Sequence, residues 1–305
     1  MKNKLIIGTR RSELALWQAT FVAALLKKKF PSIEITLKEV VTKGDRILDK
    51  PLETIGGKGL FTKELENELL AGSIDIAVHS LKDMPTGLPE GLSILAIPQR
   101  GSVADVLVSR RKEYSLNTLP IHATVATGSL RRKSQLLWWR PDFNIPDLRG
   151  NINTRMRKFV ESDWDGMVLA KAGLERLGLT GMITHEFSFN ELLPAVGQGA
   201  LAIEGRSDDT EITRITAAIN HSETELCTSA ERAFLESLGG GCKTPIAAYA
   251  SIREDKMILQ GLVGSPDGKQ QVRYSIEGNP DDAKSLGTLL AGDLIIQGAK
   301  DLLIL

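Results

Sequence analysis

Residues 4–18 read KLIIGTRRSELALWQ, an apolar segment followed at once by a segment with helical periodicity. Lys4–Gly8 predicts a β-strand, and a helix is predicted from about Leu14 to Lys29. Because strands that alternate with helices pair in parallel, this pattern predicts an α/β layer fold. The alternation continues with a strand at Ile33–Val41, a helix at Leu60–Leu70, and strands at Ile74–Val78 and Leu92–Ile97.

A second α/β segment and a smaller α+β segment are predicted further along the chain. Pro98–Ser102 and Leu193–Gly199 contain the prolines and glycines that mark boundaries. Between them the pattern predicts strands at Ala123–Thr127, Phe143–Leu148 and Met167–Leu169, and helices at Leu130–Trp139 and Thr154–Val160. The remainder predicts a strand at Ala200–Glu204, helices near Thr210–Asn220 and Thr224–Leu238, strands at Ala247–Ile252, Met257–Val263 and Gln271–Ile276, and a helix at about Pro280–Gly298.

The composition is that of a soluble globular protein, with 42% hydrophobic and 25% charged residues among 305. Residues 1–160 hold 26 Lys and Arg against 16 Asp and Glu, whereas residues 161–305 hold 12 against 22. The basic half suggests an anionic ligand, although solvated surface lysines are an alternative. No apolar run is long enough to span a bilayer, and no signal peptide is evident, so a cytoplasmic location is expected. Two cysteines and four histidines without ligand spacing predict neither a disulfide framework nor a metal site.

Three predicted helix starts combine hydroxyl or amide side chains with arginines. Arg10 and Ser12 stand at the first, and the other two hold Thr127, Ser129, Arg131 and Arg132, then Arg149, Asn153 and Arg155. Ser12 and Asn153 are the candidate caps of the first and third helices. Free N–H groups at a helix start attract anions, and arginine binds a carboxylate or phosphate with two parallel hydrogen bonds. One such start is also common for structural reasons. Three of them favour a polyanionic ligand.

Lys82 and Asp83 directly follow the apolar strand predicted at Ile74–Val78. Ligand sites of open α/β sheets lie at the carboxyl ends of strands, so Asp83 is a candidate to stabilise positive charge or to transfer a proton. A structural turn aspartate is the alternative. The glycine-rich Gly56–Gly59 lacks the spacing of a nucleotide-binding loop and suits a mobile loop or an ordinary surface loop.

Residues 238–245 read LGGGCKTP and expose a thiol, Cys242, behind three glycines. Glycines remove shielding side chains, and the adjacent Lys243 favours the thiolate, so covalent chemistry at Cys242 is predicted. A tight turn that ends in a buried cysteine is the alternative. Cys227 lies on a predicted helix and is expected to be a packing residue.

Together these segments resemble the hydroxymethylbilane synthase, or porphobilinogen deaminase, family. The matching blocks are residues 9–18 (TRRSELALWQ), 56–65 (GGKGLFTKEL), 77–85 (AVHSLKDMP), 129–132 (SLRR), 148–155 (LRGNINTR), 193–200 (LPAVGQGA) and 240–242 (GGC). The resemblance implies a transferase that joins four porphobilinogen molecules head to tail with loss of ammonia, followed by hydrolytic release of a linear tetrapyrrole in porphyrin and haem biosynthesis. It also implies a dipyrromethane cofactor linked to Cys242 by a thioether.

The fold that the resemblance implies has two periplasmic-binding-protein-like (type II) α/β domains and a small C-terminal α+β domain. The expected limits are 1–98 with 199–219, 103–193, and 222–305. A monomer is expected, with neither nucleic acid nor membrane as a partner.

The resemblance also implies roles for individual residues. Asp83 matches the catalytic aspartate. The implied cofactor contacts are Cys242, Lys82, Asp83, Thr127, Ser129, Arg131, Arg132, Arg155 and Gly199. The implied substrate contacts are Arg10, Ser12, Phe61, Arg149, Arg155 and Gln198. A mobile loop would contain Lys43, Arg46 and Lys58. Departures from the family pattern stand at Gly128, Gly239 and Lys243.

A non-enzymatic two-lobed protein that binds a small anion is the alternative function. It would explain the fold and the arginines, but not Asp83 or the glycine-flanked Cys242. A nucleic-acid binder is disfavoured, because aromatic residues make up only 5% of the chain and do not interleave with a basic stripe.

Overall fold

The computed structural model of the chain describes residues 3–42, 62–241 and 244–303. They form two compact units that are both discontinuous in sequence. The first unit comprises Met1–Gly101 and Ala200–Glu225, and the second comprises Ser102–Gly199 and Leu226–Leu305. Within these described ranges, no helix combines the length and apolar character needed to cross a membrane.

The first unit is built on a five-stranded sheet. Its strands are β1 (Lys4–Arg10), β2 (Glu34–Val40), β3 (Ile76–Ser80), β4 (Leu92–Ala96) and β9 (Leu201–Arg206). Their order is β2-β1-β3-β9-β4, with β1 parallel to its two neighbours. The expectation of purely parallel pairing is wrong for β9, which is antiparallel to β3 and β4. The chain reaches β9 after residues 102–199 rather than through one crossover helix, so the rule for parallel pairing does not apply to it.

Three described helices cover this sheet: α1 (Glu13–Lys29), α2 (Lys63–Leu70) and α6 (Thr210–Ala217). The buried side of α1 presents Ala19, Val22 and Leu26 to the β1 residues Leu5 and Ile7, all of them fully buried. On α2, the side chains of residues 65 and 69 join a second apolar cluster with those of residues 74, 77 and 92. The apolar periodicity of 3.6 that predicted α1 therefore corresponds to a real core face.

The second unit contains a four-stranded sheet. Its strands are β5 (Asp105–Ser109), β6 (Val125–Ala126), β7 (Gly166–Ala170) and β8 (His185–Glu186), in the order β6-β7-β5-β8. The β6–β7 pair is parallel, whereas β5 is antiparallel to both β7 and β8. The helices of this region are α3 (Leu130–Trp139), α4 (Ile152–Glu161) and α5 (Lys171–Arg176).

The strand predicted at Phe143–Leu148 does not form. Pro146 in this segment has no N–H to donate, and the segment contacts the sheet through an isolated bridge between Asn144 and Thr124. The strands β5 and β8 and the helix α5 were not predicted. The second region of the chain therefore follows the expected fold class with different elements.

The C-terminal part of the second unit is an antiparallel sheet covered by helices. The elements are α7 (Ser222–Ser237), whose first residues belong to the first unit, then β10 (Ile246–Arg253), β11 (Lys256–Gly264), β12 (Gln271–Gly278) and α8 (Ala283–Ile296). Phe234, Leu290 and Leu294 are fully buried in its core, and Cys227 packs there as expected. Two mixed α/β sheets and a small α+β part confirm the predicted fold class, while the three-domain limits stay predictions.

Candidate active site

Asp83 lies in a 3₁₀ turn, Leu81–Asp83, that follows β3 directly. Leu81 and Met84 are almost fully buried on either side of it. The Leu81 N–H donates to the Ala200 carbonyl at 3.0 Å, and the Met84 N–H donates to the Leu81 carbonyl at 3.1 Å. Because its neighbours are held in this way, the backbone of Asp83 is fixed by the sheet while its side chain is exposed. Such a carboxylate is rigidly placed and accessible to a ligand.

Arg10 and Ser12 lie at the same edge of the first sheet as Lys82 and Asp83. The strands β1 and β3 are parallel neighbours, so their carboxyl ends meet there. Ser12 caps α1 as predicted, and its Oγ accepts from the Ala15 N–H at 3.3 Å. This edge therefore brings together two cations, a helix start and one exposed carboxylate.

Thr127 and Ser129 connect β6 to α3 in the second unit. Ser129 caps α3 and accepts from the Arg132 N–H at 3.4 Å, and the Thr127 hydroxyl accepts from the Ser129 N–H at 3.3 Å. Between them, Gly128 departs from the family pattern. A Cβ at this position would lie 2.6 Å from the Leu148 carbonyl oxygen, so this backbone approach requires glycine.

Arg131 and Arg132 are buried, with 5% exposure each, and both contact Asp105, which is fully buried. Arg131 Nη1 lies 2.7 Å from Asp105 Oδ2, and Arg132 Nη2 lies 2.7 Å from Asp105 Oδ1. Burial opposes ionisation of Asp105, but the two guanidinium charges outweigh it and hold its pKa well below the usual range. Sequence reasoning missed Asp105, because it opens an unpredicted strand and lies 27 residues before Arg132 in the chain.

Arg131 and Arg132 have the surplus positive charge and the available donor that a carboxylate of the cofactor would need. Two guanidinium groups share one carboxylate, which leaves one positive charge in a buried place. Arg131 Nε is also buried without a hydrogen-bond partner among the described residues. Buried charge and unpaired buried donors are costly unless an anion compensates them. The residues present therefore fit an acidic ligand such as dipyrromethane.

Arg149 and Arg155 flank the start of α4. Arg149 Nε donates to Asp147 Oδ2 at 2.8 Å, and Arg155 Nε donates to the Gly150 carbonyl at 2.8 Å. The capping residue is Asn151, whose side chain accepts from the Thr154 N–H at 2.9 Å. The expectation that Asn153 caps this helix is wrong, since the helix begins earlier, at Ile152.

Two further residues of the second unit, Arg176 and Gln198, contact residues of the predicted site or their partners. Arg176, which the sequence did not single out, donates through Nη2 to the carbonyl of Gly199, a predicted cofactor contact, at 2.6 Å. Burial lowers the pKa of Arg176 to about 10, against the opposing charge of Glu175. Gln198, predicted to contact substrate, is fully buried and donates to Asp105 Oδ1 at 2.9 Å. Its contact with substrate stays a prediction.

The segment before Cys242 ends α7 with two backbone hydrogen bonds. The Gly240 N–H donates to the Leu235 carbonyl and the Gly239 N–H to the Glu236 carbonyl, with Gly239 at φ +65°, which terminates α7. A Cβ on Gly240 would lie 2.4 Å from Ile246 Cδ1, so this position needs glycine. The remaining predicted site residues lie outside the described residues: Cys242, Lys243, Lys43, Arg46, Lys58 and Phe61.

Solved structures with some similarity include two binding proteins. The methionine binding protein MetQ has a TM-score of 0.46 at 14% identity and covers 73% of this chain and 92% of its own. The periplasmic aliphatic sulphonate binding protein SsuA from Escherichia coli has a TM-score of 0.41 at 17% identity, covering 78% of this chain and 71% of its own. Both scores are low, and the fold assignment rests on the strand order above.

Comparison with known sequences matches nearly the whole chain to one protein family. Residues 5–214 match the family described as porphobilinogen deaminase, dipyromethane cofactor binding domain, and residues 225–295 match the porphobilinogen deaminase C-terminal domain. The porphobilinogen deaminase of Chlorobium phaeobacteroides (strain BS1) is 52% identical, and that of Chloroherpeton thalassium is 50% identical, each over 99% of this chain and 98% of the relative. The predicted enzyme class, function and cofactor are thereby confirmed, and a non-enzymatic binding protein is not supported. The chain belongs to the porphobilinogen deaminase family.

Proposed function

We propose that this chain joins four porphobilinogen molecules head to tail and releases them as the linear tetrapyrrole hydroxymethylbilane. In each condensation, the carbon–nitrogen bond of the aminomethyl group breaks and ammonia leaves. A carbon–carbon bond forms between that methylene carbon and the free α-carbon of the terminal pyrrole, which loses its proton. Release of the tetrapyrrole would require water to break the carbon–carbon bond between the methylene carbon of the first unit added and the pyrrole α-carbon to which it was joined. Hydroxide adds to that methylene carbon, and the α-carbon takes up the proton. The match of both family models over nearly the whole chain is the observation that supports this function.

Asp83 is the residue that we assign to the chemistry. Loss of ammonia leaves a pyrrole with positive charge, and a carboxylate held against the pyrrole N–H stabilises that charge. The fixed turn after β3 supports this assignment, because a stabilising group is most effective when it does not have to reorganise. The same carboxylate can act in each of the four condensations if the growing chain moves past it.

The cations bind the acidic side chains of the pyrroles. Each porphobilinogen unit has an acetate and a propionate, so the product becomes more negative with every addition. Arginine, lysine and hydroxyl groups at helix starts suit such ligands. The residues assigned to this role are Arg10, Ser12 and Lys82 in the first unit, and Thr127, Ser129, Arg131, Arg132, Arg149 and Arg155 in the second.

Cys242 is assigned the covalent link to dipyrromethane. When bound, this group supplies the free pyrrole α-carbon on which the first substrate is condensed. The charge surplus at Arg131 and Arg132 supports carboxylate binding in the second unit. Gly241, the last described residue before Cys242, lies in open space, since a Cβ there would meet no other atom within 4 Å.

We also propose that the protein is a monomer and that it is located in the cytoplasm. Cys227 is a buried cysteine outside any disulfide among the described residues, and a reducing compartment preserves such thiols. Light scattering on the purified protein tests the monomer.

The activity is tested with purified protein and porphobilinogen. We expect one ammonia released per porphobilinogen consumed, together with a product that gives porphyrin absorbance after cyclisation and oxidation. Intact mass after denaturation should show two additional pyrrole units on the protein. Binding of porphobilinogen without release of ammonia would contradict the proposal.

A further inference from the structure

We propose that Asp105 and Gln198 are positioning residues, which orient the Arg131–Arg132 pair and set its net charge so that it accepts one carboxylate of the cofactor. The inference rests on the proposed function and concerns residues for which neither the sequence motifs nor the family match supplies this role. Asp105 was not among the predicted site residues, and Gln198 was predicted only as a substrate contact.

Asp105 uses its two oxygens differently. Its Oδ1 accepts from Arg132 Nε at 3.0 Å, from Arg132 Nη2 at 2.7 Å and from Gln198 Nε2 at 2.9 Å. Its Oδ2 lies 2.7 Å from Arg131 Nη1, which also donates to the Leu193 carbonyl at 2.7 Å. Arg132 Nη1 also donates to the Val168 carbonyl at 3.0 Å, so all three nitrogens of Arg132 are held, whereas Arg131 is held through Nη1. These contacts fix the direction in which the remaining N–H groups point.

The net charge of the cluster formed by Asp105, Arg131, Arg132 and Gln198 also suits one additional carboxylate. One carboxylate between two guanidinium groups leaves a single positive charge, and Gln198 adds a donor without adding charge. With Arg131 Nε buried and unpartnered, the cluster has both the charge and the donor for one additional carboxylate. A glutamate in place of Gln198 would cancel that charge, and removal of the Asp105 charge would leave two buried cations in mutual repulsion.

Gln198 is itself placed by the surrounding backbone. It stands between Gly197 and Gly199, whose φ angles of +69° and +85° are readily adopted only by glycine. The Gly197 N–H donates to Glu231 Oε2 at 2.7 Å, and Glu231 Oε1 accepts from the Ala250 N–H at 3.0 Å. Glu231 is a fully buried residue of α7, the helix that ends just before the Cys242 segment. A continuous set of buried hydrogen bonds thus joins this helix to the arginine pair.

The first test compares Asp105→Asn with Asp142→Asn. Asp142 pairs with Arg140 at 2.8 Å in the same unit but outside the cluster, and serves as the matched control. The readout is the fraction of folded protein, judged by circular dichroism, that has two pyrrole units by intact mass. Partners that orient metal-ligating side chains commonly matter 10- to 100-fold, and by analogy we expect occupancy of about a tenth or less in Asp105→Asn. Asp142→Asn should keep full occupancy.

The second test separates charge from packing at Gln198. Gln198→Glu adds a carboxyl that removes the surplus charge when ionised, but can donate to Asp105 when protonated. Gln198→Met has neither charge nor donor. We measure the rate at which the cofactor-free fraction of each variant gains pyrrole units during incubation with porphobilinogen. The rate for Gln198→Glu relative to Gln198→Met should rise as the pH falls, because a buried carboxyl beside another carboxylate is protonated readily.

Full cofactor occupancy in folded Asp105→Asn would overturn the inference. So would an identical pH dependence for the two Gln198 variants, which decide the question if Asp105→Asn does not fold. Absence of pyrrole units from the unmodified protein would instead contradict the proposed function, so the two failures are distinguishable.

Discussion

His79 Nε2 lies 3.0 Å from Glu204 Oε2, and both side chains are almost completely buried in the first unit. They join the neighbouring strands β3 and β9. The other carboxylate oxygen of Glu204 has no hydrogen-bond partner within the described part of the chain. Glu66 on α2 is buried as well and interacts electrostatically with both residues. Three titratable groups, contributed by β3, β9 and α2, are therefore clustered in the interior of the first unit.

Glu66 should make stability depend on pH. Burial, reinforced by the charge of Glu204, raises its pKa above the ordinary 4.5, although Thr62 and His79 oppose the shift. The folded state then binds this proton more tightly than the unfolded state, so the contribution of Glu66 is most favourable below about pH 4 and is lost as the pH rises through the folded pKa. Glu66→Gln should therefore increase the free energy of unfolding near neutral pH, with the gain disappearing in acid.

Urea denaturation of both proteins, near neutral pH and in acid, measures this difference in the free energy of unfolding. The exposed Glu113→Gln provides the control and should show no such change with pH. A Glu66→Gln protein that is less stable than the unmodified chain at neutral pH would contradict the electrostatic account.

Asp83→Asn should abolish most turnover while leaving the fold intact. The change keeps the size of an exposed side chain but removes its charge, and loss of one electrostatic stabiliser typically lowers the rate about 100- to 1000-fold. Asp83→Glu keeps the charge one methylene away and should retain some activity with slow release of chain intermediates. Steady-state kinetics and the masses of trapped complexes measure both effects, with the exposed Asp208→Asn as control. Near-normal turnover in Asp83→Asn would exclude it from the mechanism.

Cys242→Ser should give a folded protein without covalent pyrrole and without activity. Cys227→Ser should keep both, because Cys227 is 5% exposed and packs in the core of the C-terminal part. A small loss of stability is expected for Cys227→Ser, since a hydroxyl is less well accommodated there than a thiol. The mass of the modified tryptic peptide identifies the attachment site, and an adduct on the Cys227 peptide would reverse the assignment.

Leucine replacements should divide the four arginines into two classes. Arg131→Leu and Arg132→Leu should block cofactor assembly, because each removes the surplus positive charge while Asp105 keeps the other arginine and Gln198 as partners. Arg149→Leu and Arg155→Leu should load the cofactor but impair initiation or elongation, each losing a charged hydrogen bond of roughly 1.5–3 kcal/mol. Intact mass, thermal unfolding and single-turnover kinetics distinguish the classes. Normal loading and rate in all four would argue against a polycarboxylate site.

Much of the fold was predictable because it depends on local patterns. The apolar periodicity of residues 4–29 and the capping hydroxyl of Ser12 are encoded within a few residues of one another. The cap at Asn151 was harder, since Asn153 offers the same chemistry two positions later and the choice depends on where α4 begins. Pro146 was the local signal against a strand at Phe143–Leu148.

The interior of the arginine site was not predictable in the same way. Adjacent arginines at a helix start indicate a ligand, but the sequence does not reveal that Asp105 takes up part of their hydrogen-bonding capacity from a distant strand. An aspartate at the start of an apolar run resembles a strand boundary. Gln198 and Asp105 are 93 residues apart in the chain and meet only after the sheet has formed.

The position of β9 determines when the first sheet can be completed during synthesis. This strand separates β3 from β4, yet it is translated only after residues 102–199. A nascent chain that has emerged as far as Gly101 contains β1, β2, β3 and β4 but not β9. The turn that contains Asp83 also lacks the Ala200 carbonyl to which Leu81 donates. The edge of the first sheet that contains Asp83 thus reaches its final hydrogen bonding only after about two thirds of the polypeptide has left the ribosome, although domains usually fold in order of synthesis.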